Sequence, residues 1–160
     1  DRGPIFYSQD RIGKNKKIFK VIKFRTMVPD SEKMTGAVWS TKNDPRITRI
    51  GQLLRRTAID EIPQIINILK GDMSFVGPRA ERPELHEKFA LEIPDFDKRL
   101  KVIPGLSGLA QIKGSYDLSP KEKLKFDLEY SNKMSLLFDL RIIFISVLNS
   151  LSARWDQPEN

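Results

Sequence analysis

Apolar and polar residues alternate along this chain with two different periods. Over residues 4–27 the apolar residues come in short runs. Pro4-Ile5-Phe6-Tyr7 leads to a polar turn at Gly13-Lys14-Asn15-Lys16, and Ile18-Phe19-Lys20-Val21-Ile22-Lys23-Phe24-Arg25 follows. Such runs around a polar turn predict a β-hairpin with a basic face. Lys23 and Arg25 fall on one side of its second strand, because strand side chains alternate with period two. Residues 28–48 hold Pro29, Gly36 and Pro45 and few apolar residues, which predicts a loop with Trp39 as its candidate anchor.

From residue 49 the period becomes helical. Ile50, Leu53, Leu54, Ile62, Ile65, Ile66 and Leu69 recur at helix spacing. Pro63 interrupts them: it has no N–H for the Ile59 carbonyl, and its ring crowds that turn. The pattern predicts a kink near Asp60 or a fresh helix start there, with Gly71 ending the run. Residues 72–83 give a short apolar piece and a turn at Gly77-Pro78-Arg79. Residues 83–101 read as helix with a break at Pro94. Residues 102–116, with Pro104, Gly105, Gly108 and Gly114, read as a compact loop.

Residues 119–133 predict an amphipathic helix with Ser119 as N-cap and Pro120 at its first position. The last helix, 135–151, differs. Ser135, Asp139, Ser146 and Ser150 form a narrow polar stripe, and the wide apolar arc is broken only by Arg141. Such an arc belongs to a core or to a membrane interface, and the sequence leaves both open. The expected fold is α+β: a helix-rich single domain over residues 1–160, with a small N-terminal β-hairpin and amphipathic interfacial helices.

Composition narrows the chemistry. The chain has no cysteine, which removes disulfides, thiolate metal sites and a cysteine nucleophile. The single histidine, His86, rules out a histidine cluster or triad within the chain, and it reads as a surface residue. Charge is lopsided: residues 1–60 carry 14 Lys/Arg against 6 Asp/Glu, and the remainder 14 against 15. A basic half implies an anionic partner, or a solvated face. A nucleic-acid partner would rest on charge alone, since no aromatic-rich binding motif accompanies it, and none is expected. No run of apolar residues is long enough to span a bilayer as a simple helix. The chain opens at Asp1 in what reads as mid-domain sequence, which suggests a piece of a longer protein.

Asp60-Glu61 is the leading candidate for chemistry. Thr57-Ala58-Ile59-Asp60 also has capping-box spacing, and acids in a first helical turn are favoured by the helix dipole. Three features raise the functional reading: the break at Pro63, the preceding Arg55-Arg56, and the apolar neighbours Ile59 and Ile62. A carboxylate at a helix N-terminus is expected to stay ionised and, near arginines and a divalent cation, to attack or orient phosphate. Magnesium suits an acid-bearing, cysteine-free chain better than zinc. Arg79, after the stiff Gly77-Pro78 turn, reads from that tripeptide as an exposed surface arginine before a phosphate contact, and Lys23 and Arg25 read as strand-face charges or phosphate contacts. The glycine-punctuated loop fits neither the Walker spacing nor the dinucleotide fingerprint.

Gly3-Pro4-Ile5-Phe6-Tyr7, Lys23-Phe24-Arg25-Thr26-Met27, Asp60-Glu61-Ile62-Pro63-Gln64, the run from Asn67 to Arg79, and Pro104-Gly105-Leu106-Ser107-Gly108-Leu109-Ala110-Gln111 occur in this order. Together they resemble the bacterial sugar transferase family, the monotopic polyprenol-phosphate phosphoglycosyl transferases. The resemblance implies transfer of a sugar 1-phosphate from a UDP-sugar to undecaprenyl phosphate, with release of UMP. It implies Asp60 as nucleophile and magnesium ligand, Glu61 as its helper in proton handling or orientation, and Mg2+ as cofactor. It further implies phosphate or substrate contacts from Lys23, Arg25, Arg55, Arg79 and Gln111. It places the enzyme on the cytoplasmic face of the bacterial cell membrane, below an upstream membrane-embedded hairpin absent from this chain. A homo-oligomer stays open. Two positions depart from the family pattern: Ala80 follows Gly-Pro-Arg where many members have proline, and Ser115 stands where some have arginine.

Overall fold

The computed structural model describes residues 3–31, 44–114 and 118–152. Trp39 and Ser115 lie outside the described residues. The predicted hairpin forms from β1 (Phe6–Ile12) and β2 (Ile18–Phe24), antiparallel from Phe6 opposite Phe24 to Ile12 opposite Ile18. Its turn takes Asn15 and Lys16 through positive φ. The outer edge of β2 is closed by a side chain: the Asn67 amide accepts from Ile22 N at 3.1 Å and donates to Lys20 O at 2.7 Å. Asn67, 1% exposed, thus acts as a surrogate strand and satisfies backbone groups that a sheet edge leaves open.

α1 (Arg49–Arg56) starts at Thr48, whose hydroxyl accepts from Gly51 N at 2.9 Å. The break falls earlier than Pro63 alone suggests. Thr57 closes α1 by donating its hydroxyl to the carbonyls of Leu53 and Leu54, so it is no capping-box residue. Ala58 then turns left-handed (φ 55°), and a 3-10 helix runs over Ile59–Gln64 before α2 (Ile65–Leu69). Pro63 fits the middle of that turn.

The stretch predicted as a loop after residue 102 is structured instead. β4 (Gly105–Ser107) pairs in parallel with β3 (Ser74–Val76), and α4 (Leu109–Lys113) follows. The glycines explain both the fold and the misreading. A Cβ on Gly105 would sit 2.0 Å from Gly77 N, so the backbones meet where side chains cannot. A three-residue strand built that way lacks the β-branched run that marks strands in sequence.

α3 (Pro83–Glu92) and a 3-10 helix over Phe96–Lys101 flank the predicted break. α5 (Pro120–Lys133) has the predicted cap, strengthened to a full capping box by Glu122. α6 (Leu136–Leu151) buries only part of its apolar arc. Ile142 is fully buried against Val76, Leu109 and Tyr130, whereas Leu137, Leu140, Phe144 and Leu151 are exposed. The fold is therefore α+β as expected, with small apolar clusters rather than one deep core.

Candidate active site

The reaction-centre candidates sit on the 3-10 turn between α1 and α2. Three residues per turn put Asp60 on one side and Glu61 on another, so the adjacent acids have separate surroundings. Glu61 faces β2 and the Gly77-Pro78-Arg79 turn. Its Oε1 accepts from Lys23 Nζ at 2.6 Å and from Arg79 Nη2 at 2.7 Å. Both acceptance geometries depend on fixed backbones. Lys23 directly follows Ile22, which Asn67 holds. Arg79 follows a turn pinned by Gly77 N to Ser107 O and Gly105 N to Pro78 O.

These neighbours set opposite titration behaviour. Burial raises the Glu61 carboxyl, but the charges of Arg79 and Lys23 outweigh it and hold the group well below the usual carboxylate range. Burial lowers Lys23, with Glu61 opposing, and Glu61 raises Arg79. Asp60 is 8% exposed and makes no comparable ion pair among the described residues. Burial pushes its carboxyl up to about 6, against the pull of Lys23. The position of Asp60 at a helix start favours the ionised form, but desolvation raises its proton affinity above that of an ordinary carboxylate.

The structure thus brings Asp60, Glu61, Lys23 and Arg79 together. Arg55 acts on Asp60 through its charge, and its Nε donates to Thr26 Oγ1 at 2.9 Å. Arg25 donates to the carbonyls of Pro4 and Met27, tying the hairpin base to the chain that follows. Gln111 lies on α4 beside Gly108, with a buried Oε1. His86 corrects the surface reading. It is 2% exposed, packs on Phe96, and its Nε2 lies 2.8 Å from Asp97 Oδ1. Its place on the inner face of α3, next to Phe89, is what buries it.

Sequence reasoning missed three supports. Arg11 crosses from β1 to Ala80 O at 3.0 Å. Gln64 lies under Glu61 on the 3-10 turn; its signal was the i, i+3 spacing, legible only once that helix type is known. Arg99 has no sequence signal: its Nε donates to Asp127 Oδ2 at 2.7 Å and its Nη2 to Arg79 O at 2.8 Å, with both side chains buried.

The described residues hold no cluster of three or more acids or histidines that could hold a metal ion. Glu61 is committed to two cations, so Asp60 is the carboxylate left to meet one. One carboxylate plus substrate phosphates is a donor set that magnesium accepts.

A family model described as bacterial sugar transferase matches residues 1–153. Among similar proteins, the exopolysaccharide production protein PSS of Rhizobium leguminosarum bv. phaseoli is 40% identical over 158 residues, covering 94% of this chain and 79% of the relative. The UDP-glucose:undecaprenyl-phosphate glucose-1-phosphate transferase of Escherichia coli (strain K12) is 42% identical over 151 residues, covering 91% of this chain and 32% of the relative. The UDP-N-acetylgalactosamine-undecaprenyl-phosphate N-acetylgalactosaminephosphotransferase of Aeromonas hydrophila is 39% identical over 153 residues, covering 94% and 36%. The chain spans about a third of the length of these last two relatives.

Proposed function

The chain belongs to the bacterial sugar transferase family, and on that premise we propose that residues 1–160 are the catalytic domain of a phosphoglycosyl transferase. It moves a sugar 1-phosphate from a UDP-sugar to undecaprenyl phosphate, an opening membrane step of exopolysaccharide, capsule or glycoconjugate synthesis. The observation that carries the reading is the contrast within the acid pair. Glu61 is neutralised by two cations, and Asp60 is desolvated without a comparable partner.

The Asp60 carboxylate oxygen attacks the phosphorus that bears the sugar. The P–O bond to UMP breaks, UMP leaves with the electron pair, and a phosphosugar-aspartyl intermediate remains. An oxygen of undecaprenyl phosphate then attacks the same phosphorus, and Asp60 leaves as the carboxylate. Desolvation makes Asp60 a stronger nucleophile, while a pKa near 6 leaves it largely ionised at neutral pH. The two ion pairs favour an orienting role for Glu61 over proton handling, since a carboxyl held so far below neutrality is a poor base. Lys23, Arg79 and Arg55 supply positive charge where phosphate charge collects. Magnesium, when bound through Asp60, neutralises phosphate charge.

Exposed apolar faces support a membrane surface as partner. Ile50 and Leu53 of α1 are 62% and 61% exposed beside the exposed Arg49 and Arg56, and α6 adds Leu137, Leu140 and Phe144. Apolar residues flanked by arginines suit the headgroup region on the cytoplasmic side, where UDP-sugars are available. No described helix is long and apolar enough to cross a membrane. The same faces favour a second reading, a non-enzymatic peripheral membrane module. Full-length protein, Mg2+, a panel of UDP-sugars and undecaprenyl phosphate decide between them through UMP release. Turnover by Asp60→Asn at the parent rate would remove the nucleophile assignment.

A further inference from the structure

One polar group on the 3-10 turn has no task in the chemistry above. Gln64 is 3% exposed, and its Nε2 is buried with no hydrogen-bond partner among the described residues. In a 3-10 helix residues i and i+3 eclipse, so Gln64 stands one turn along from Glu61 on the same face. There it lines a partly open cavity of about 10 Å³ with Arg11, Lys23 and Arg79, and no acidic residue lines it.

The lining is rich in unused donors. Arg11 gives one N–H to Ala80 O and one to Gln9 Oε1, and a guanidinium carries five. Lys23 gives one of its three to Glu61. A buried amide donor without a partner is costly, so something outside the chain is expected to meet it. The volume admits one oxygen-sized atom, roughly a single water probe, and not a whole phosphate. Arg11, Lys23 and Arg79 outnumber Glu61, which pairs with the last two, so the lining keeps a net positive charge; with the amide N–H, that favours an oxygen that carries negative charge over a water, which brings two hydrogens of its own.

We infer that Gln64 and Arg11, with Lys23 and Arg79, form a pocket for one anionic phosphoryl oxygen of a phosphate ester. The rest of that phosphate stays outside the pocket. The inference rests on the phosphoryl-transfer reading and adds two residues to it. The ester is either the donor's diphosphate or the acceptor's lipid phosphate.

Calorimetric binding with full-length protein in detergent tests this without turnover. UDP serves as the donor probe and a short-chain polyprenyl phosphate as the acceptor probe. Gln64→Leu is expected to weaken the probe that fills the pocket about tenfold. Weakening confined to UDP assigns the oxygen to the donor, and weakening confined to the lipid phosphate assigns it to the acceptor. The thermal midpoint of the ligand-free variant should hold or rise, because an unsatisfied buried donor is gone. Gln64→Glu, which puts a carboxylate among the cations, should weaken the same probe further, and it decides the matter if Gln64→Leu does not fold. Parent-like binding of both probes by Gln64→Leu overturns the pocket, as does parent-like binding by Gln64→Glu. A parent protein that releases no UMP, yet loses probe binding on Gln64→Leu, refutes the transferase reading and leaves the pocket standing.

Discussion

Arg79 and Lys23 meet on one carboxylate oxygen of Glu61, at 2.7 and 2.6 Å. A strand, a turn and a 3-10 helix are joined through that atom. Glu61→Gln keeps the shape but leaves two cations facing a neutral amide. It should destabilise the fold by about 2–3 kcal/mol, discounted because Arg79 is half-exposed. It should also lower kcat about 100-fold through misplacement of Asp60 and its cations. Urea unfolding and steady-state kinetics measure the two effects.

Asp60 makes the opposite prediction for stability. Its carboxyl titrates at about 6 in the fold against an ordinary 3.8, so between those values the folded chain holds the extra proton. Stability therefore falls as pH rises through that window, and the penalty is complete above it. Glu61 has the reverse sign, since its stabilisation is lost only as pH falls below its ordinary value. Asp60→Asn, in chelator-treated buffer, should remove the slope between pH 4 and 6 and stabilise the fold by roughly 2–3 kcal/mol at pH 7. Thermal melts across pH check this. An unchanged slope in Asp60→Asn would contradict the burial argument.

How much of this was legible in the sequence differs by element. The hairpin, the cap at Ser119 and the break before Pro63 follow from local rules, because turn chemistry and side-chain caps are set by neighbours in the chain. The parallel β3–β4 pair was not legible. It rests on backbone contact between Gly77 and Gly105, 28 positions apart, where absent side chains leave no pattern. Burial of His86 was hidden for a similar reason, since its cover comes from Phe96 beyond a helix break. Asp60, Glu61, Lys23 and Arg79 were named from motif order and do converge. Their division into one neutralised acid and one desolvated acid needed the 3-10 turn.

Arg99 separates positioning from stability. Arg99→Met alone buries Asp127 without its partner and should cost about 3–5 kcal/mol. The double variant Arg99→Met, Asp127→Leu removes both charges and should recover most of that loss, as replaced buried pairs often do. Activity should not recover with it, because Arg79 O still lacks the Arg99 bond. Recovery of kcat alongside stability would reduce Arg99 to a structural role.

The exposed face of α6 predicts a separable membrane contribution. Leu140→Ser with Phe144→Ser changes side chains that are 53% and 64% exposed. Cosedimentation with anionic vesicles should drop several-fold through lost apolar burial. Stability should move by less than about 1 kcal/mol, as for surface positions in general. Unchanged vesicle binding would shift the membrane contact to other surfaces.

The most direct test is covalent. Full-length protein is mixed with a UDP-sugar and Mg2+ in the absence of undecaprenyl phosphate, quenched, and digested for mass spectrometry. The account predicts a sugar-phosphate adduct on the peptide containing Asp60, formed together with UMP and absent from Asp60→Asn. UMP release that needs the lipid acceptor, with no adduct on that peptide, would contradict it.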